Sequence, residues 1–154
     1  MNFALRIGVL FCSVIAAFAP ASVSSAAPEP SQVVERFQQS ATNVVASSAT
    51  QMTNTTNTTV SAIERLDRNE QPAEAVQRAA DRGKLRIDRL VTQNTNQINR
   101  RAQAATRALQ RLKADASFSQ QVTDAATAAI ASVNANAANA KATIDAAVTT
   151  AAGS

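Results

Sequence analysis

From Ser31 onward, apolar and small residues return every three or four positions along the chain. A first series runs Val34, Phe37, Ala41, Val45, Ser48, Met52, Thr56, Thr59, Ile63, Leu66. A second runs Val76, Ala80, Gly83, Ile87, Val91, Asn94, Ile98, Ala102, Ala105, Leu109, Leu112. A third runs Phe118, Val122, Ala126, Ala129, Val133, Ala137, Ala140, Ile144, Ala147, Ala151. This is helical periodicity and not the alternation of a strand. Steps of three, four and four give an eleven-residue beat, clearest in Val76–Ile87–Ile98–Leu109 and in Val122–Val133–Ile144. Eleven residues over three turns is about 3.67 per turn, which suits a straight helix or a slight right-handed supercoil.

Two breaks divide the pattern. Asn69-Glu70-Gln71-Pro72 reads as a turn, because proline opens a helix well and disfavours helix in the residue before it. Between Leu109 and Val122 the stripe loses phase, so one continuous helix would carry it onto the opposite side. Ser117 and Gln120 have the spacing of a capping box, which places a second turn near 114–117, with one long bent helix as the alternative. The pattern therefore predicts helices over about 32–68, 72–114 and 118–151, behind a proline-containing linker at 27–31. Short turns make neighbours antiparallel. The expected fold is all-α, an elongated antiparallel three-helix bundle or coiled coil. One tract argues locally against it: Thr53-Asn54-Thr55-Thr56-Asn57-Thr58-Thr59 contains no strong helix former, so fraying or a kink is expected there. The same tract carries two N-glycosylation acceptor patterns, at Asn54 and Asn57.

Composition changes the picture at the amino terminus. Arg6 precedes the apolar stretch 7–19, and Ser24-Ser25-Ala26 supplies small residues before a cut, the layout of a secretory signal peptide cleaved after Ala26. The stretch is shorter than the ~20 residues that span a bilayer, and Pro20 interrupts it, so no transmembrane helix is expected in the mature chain. Cleavage would remove Cys12, the chain's only cysteine, and leave Phe37 and Phe118 as the sole aromatics. Val, Ile, Leu and Phe then make up about 17% of the mature chain, a thin core by globular standards. Marginal stability, or stability gained by self-association, is the consequence.

Candidate chemistry is sparse. The chain has no His, Tyr or Trp, and without Cys12 the common general bases, thiol nucleophiles and soft metal ligands are missing. No glycine-rich phosphate loop or Gly-x-Ser-x-Gly elbow occurs. Glu64 with Asp67 and Glu70 with Glu74 are spaced to share helix faces, but they fall at a helix end and around a turn, where dipole and solubility roles account for them. No enzyme activity, cofactor or metal is expected.

Charge supplies the positive feature. Residues 78–113 hold eight Arg plus Lys84 and Lys113 against Asp81 and Asp88, a net +8 in a chain whose net charge is +4. At 100° per residue, Arg78, Arg82, Arg86, Arg89, Arg100, Arg107 and Arg111 fall within an arc of roughly 80°. The apolar set lies about 150° away on the same helix. Guanidinium groups grip phosphate and carboxylate bidentately, so the stripe suits anionic lipid headgroups, acidic envelope polymers or nucleic acid. A solvated face that keeps a bundle soluble has the same pattern. Nucleic acid fits least, since no aromatic side chain stands in the stripe to stack on bases and export leads away from it.

Two functional expectations result. One is an exported structural or interaction protein acting by self-association or by binding a protein partner. The other is an envelope-surface or anionic-lipid binder. The eleven-residue amphipathic period resembles that of apolipoprotein-like helices, which implies an opening of the bundle onto lipid; the resemblance is in period alone. Thr42–Thr53 and Thr95–Thr106 are isolated eleven-residue pairs, too few for the flat threonine face of an ice-binding helix.

Overall fold

The computed structural model of the chain describes residues 28–153. The expected signal peptide with its expected cut after Ala26, and Cys12, lie outside the described residues. The chain forms α1 (Pro30–Arg68), α2 (Ala73–Arg111) and α3 (Ala116–Ala152), with no strand among the described residues. The first two helices have 39 residues and the third 37, or about 55–60 Å each at 1.5 Å per residue. Each packs against both others. Gly83 of α2 abuts Thr59 of α1, whereas Arg101 of α2 reaches Ser40, so these two helices run antiparallel. Lys84–Asp145 and Asp88–Lys141 set the same antiparallel register between α2 and α3.

The helix ends depart from the sequence expectation in instructive ways. α1 begins inside the stretch expected to be linker, because Pro30 takes the first helical position, where its missing N–H costs nothing. Gln32 Oε1 accepts the Glu29 N–H at 3.4 Å across that first turn. Helices α2 and α3 are separate, which excludes the single bent helix. The cap between them is Asp115 and not Ser117. Its carboxylate accepts the Ser117 N–H at 2.8 Å, while Gln120 turns away to donate to Asp124 at 2.8 Å. The hydrogen bonds from the Ser117 backbone and side chain hold the Asp115 carboxyl below its ordinary value. Its capping contribution is therefore present above the unfolded-state pKa and lost as pH falls through the folded one.

Both turns use one device. Glu70 and Lys113 occupy the left-handed region, at φ 50° and 51°. Their successors close the preceding helix: Gln71 N–H donates to Leu66 C=O and Ala114 N–H to Leu109 C=O, each at 3.0 Å. These are Schellman closures built on residues other than glycine, at about 1 kcal/mol apiece. Glu70 is thus a turn residue, and it does not share a helix face with Glu74.

The core follows the eleven-residue rows. Val76, Ile87, Ile98 and Leu109 are buried, as are Val122, Val133 and Ile144. In α1 the row shifts by one: Val44 is buried and Val45 only half-buried. Leu66, Val91, Ala102, Ala105, Phe118, Ala147 and Ala151 pack on the rim of the core instead of filling it, and Leu112 is likewise half-buried. The threonine tract neither frays nor kinks; helix runs through it without interruption. Thr55, Thr58 and Thr59 hydroxyls donate to the carbonyls of Gln51, Asn54 and Thr55 four residues back, at 2.8–2.9 Å. Thr56 and Thr59 are also buried against the other helices, so packing overrides local propensity. Asn54 and Asn57 point away from the core, exposed as acceptors would be.

Four polar side chains stand in the core: Ser48, Thr56, Thr59 and Asn94. Asn94 is satisfied by its own helix, donating to Leu90 C=O at 2.8 Å. Thr56 is different, because its buried Oγ1 has no hydrogen-bond partner among the described residues. Replacing Thr56 by Val keeps the shape and removes the orphaned hydroxyl. The expected gain is about 1 kcal/mol, seen as a rise in thermal midpoint of a few degrees.

Gly83 governs the approach of α2 to α1. A Cβ placed there would lie 2.5 Å from both Cγ2 and Oγ1 of Thr59, a branched, buried side chain with no room to yield. Gly83→Ala should therefore destabilise the bundle by about 1–2 kcal/mol despite the better helix propensity of alanine. Adding Thr59→Ala should recover that loss, and denaturant unfolding of the two single variants and the double variant measures the coupling.

Candidate anion-binding surface

α2 folds as a helix because alanine, arginine, glutamine and leucine dominate it, and it buries one narrow apolar row. That burial turns the opposite side outward. All seven arginines of the predicted stripe, Arg78, Arg82, Arg86, Arg89, Arg100, Arg107 and Arg111, are exposed. The structure brings them together on one face along a rise of about 50 Å. Arg78, Arg82, Arg86 and Arg89 succeed one another at three- and four-residue steps. Arg107 and Arg111 repeat the step near the other end, with Arg100 two turns before them. Gln93 and Asn96 occupy the intervening outer positions.

The surroundings of these arginines decide their state. Lys84, Asp81 and Asp88 of α2 are engaged elsewhere. Lys84 pairs with Asp145 and Asp88 with Lys141, tying α2 to α3 along the flank of the stripe. Asp81 accepts the Gln77 side-chain amide at 2.9 Å. Arg101, an eighth arginine that helical projection leaves outside the stripe, donates to the Ser40 hydroxyl and, at 3.3 Å, to the Ser40 carbonyl. It clamps α2 to α1. Among the described residues, none of the seven stripe arginines enters a hydrogen bond or an ion pair with the protein.

Like charges at four-residue spacing on a helix repel by a few tenths of a kcal/mol per pair, so the unliganded stripe is a standing electrostatic cost. Any anion that bridges neighbouring guanidinium groups relieves it. The site can concentrate and orient multivalent anions. A shallow groove of about 390 Å³ between α2 and α3 borders the stripe at Arg107, with Gln103, Gln110, Thr123 and Thr127 as walls and Ile130 in its floor. Its lining has one charged side chain and no acid–base pair.

The remaining surface differs in kind. Residues 37–63 of α1 and 125–140 of α3 contain no charged side chain. Their exposed positions are Ala, Ser, Thr, Asn and Gln. The arginine stripe of α2 is readable from charge spacing; this neutral face needs the parallel pairing of α1 with α3 to become one surface. Among the described residues no group of three or more Asp, Glu, His or Cys could hold a metal ion, and no helix is long and apolar enough to cross a membrane. No protein-family model, curated protein or solved structure matches the chain.

Proposed function

We propose that this is an exported, non-enzymatic interaction protein, secreted or periplasmic after removal of residues 1–26, whose bundle binds a multivalent anionic partner along the outer face of α2. The observation that carries the proposal is the set of seven exposed guanidinium groups that have no protein partner among the described residues. A face needed only for solubility would serve as well with its charges interleaved and paired, as Lys84 and Asp88 are. Arginine at four-residue spacing instead matches repeated phosphate or carboxylate groups, as on anionic envelope polymers or lipid headgroups.

The same helix constrains how binding occurs. The apolar row and the arginine stripe lie about 150° apart, so a bundle that opened and laid its apolar face on a surface would turn the arginines away from it. Binding through the stripe therefore leaves the bundle closed. Self-association is the second reading, favoured by the neutral α1–α3 face, which a second copy could cover without burying a charge. In that case the seam would be extended as an eleven-residue coiled coil between copies.

Substituting Arg82, Arg89, Arg100 and Arg107 by Gln tests the proposal. Each arginine lost should weaken binding to an anionic surface by about 1 kcal/mol, so the fourfold variant should bind several hundred-fold more weakly at low salt, with its helical circular dichroism unchanged. Unaltered affinity would remove the stripe from the function.

A further inference from the structure

The arginine surface contains one residue that a purely electrostatic site has no use for. Leu85 is the exposed large hydrophobic side chain among the described residues, at 57% exposure. In helical projection it stands about 20° from Arg78 and 40° from Arg89, on the side of α2 facing away from the core. Along the helix it is three residues from Arg82 and four from Arg89, so both flank it within one turn. Its other flank is formed by Asp81 and Asp88, whose carboxylates are taken up by Gln77 and Lys141. The core does not need Leu85: Ile87, Gly83 and Ala80 already fill that part of the seam.

An exposed apolar side chain at the edge of a row of guanidinium groups that have no protein partner among the described residues has the chemistry of a membrane interface. The arginines reach lipid phosphates, and the leucine passes between headgroups to the acyl boundary. A soluble anionic polymer offers the phosphates or carboxylates but no apolar phase. The arginines also lie within one narrow arc of a straight helix, so they can all meet a flat surface while α1 and α3 stand behind it.

We infer that the anionic partner is a bilayer surface, on which the closed bundle lies along α2 with Leu85 inserted among headgroups held by Arg78, Arg82, Arg86 and Arg89. This rests on the reading of the arginine stripe as an anion site. The chain contains no Trp or Tyr, so Leu85→Trp introduces a single indole at an exposed helical position. Three probes separate the sources of anion: vesicles containing phosphatidylglycerol, vesicles of phosphatidylcholine alone, and soluble polyphosphate.

With phosphatidylglycerol vesicles the indole emission should move to the blue and be quenched by brominated acyl chains. Polyphosphate should bind without a blue shift, and phosphatidylcholine vesicles should not bind. The companion variant Leu85→Ser should weaken vesicle binding about tenfold and leave polyphosphate affinity unchanged. Vesicle binding with no shift and no effect of Leu85→Ser would overturn the insertion while leaving the arginine stripe as an anion site. Failure to bind either vesicles or polyphosphate would overturn both.

Discussion

A core with one buried aromatic ring among the described residues, Phe37, can exclude water only if the helices that carry it come close together. In this bundle that closeness depends on small side chains at the seams. Gly83 is set against Thr59 with no space for a methyl group, and Ala41, Ala80, Ala126, Ala129, Ala137 and Ala140 alternate with Val, Ile and Leu along the buried rows. Close approach brings dispersion contacts that partly offset the small apolar area removed from water. It also explains why the cross-links between helices, Lys84–Asp145, Asp88–Lys141 and Arg101–Ser40, are made by side chains at the flanks of the seams, where they can span from one helix to the next.

Close packing on one side of α2 has a consequence on the other. With the apolar row turned inward and Lys84 and Asp88 paired with α3, the outer face is left to arginine. The protein thus separates its surface into a cationic ridge and a neutral flank of amides and hydroxyls on α1 and α3. The ridge costs electrostatic free energy in isolation and regains it on meeting an anion. A bundle held together by small residues supports this rigidly, because the seven arginines belong to one uninterrupted helix and their relative positions do not depend on loops.

Much of this architecture is legible in the sequence. The three helices, the turn before Pro72 and the eleven-residue rows of α2 and α3 emerge from spacing alone, and so does the arginine stripe, because both signals repeat with the helix. Features that obey tertiary contacts instead of period are not legible. Val44 takes the core position in place of Val45 at one step only, and the row resumes as expected at Ser48, Met52, Thr56, Thr59 and Ile63, so the exchange is set by local contacts with the neighbouring helices. The threonine tract is helical because Thr56 and Thr59 are buried, which its own propensity opposes. Glu70 and Lys113 adopt the left-handed conformation that glycine usually marks, so the Schellman turns carry no sequence signal. Leu85 escapes for the opposite reason: it breaks the apolar period, and only its exposure sets it apart.

The function proposed for the outer face of α2 requires a bundle that stays closed while that face binds. Amide hydrogen exchange with and without anionic vesicles tests this directly. Protection of the seam amides around Ile87, Ile98, Val133 and Ile144 should be retained or increased on the vesicle, with no segment of α1 or α3 exchanging faster. Accelerated exchange across α1 and α3 on lipid would mean that the helices separate, and would contradict the closed bundle.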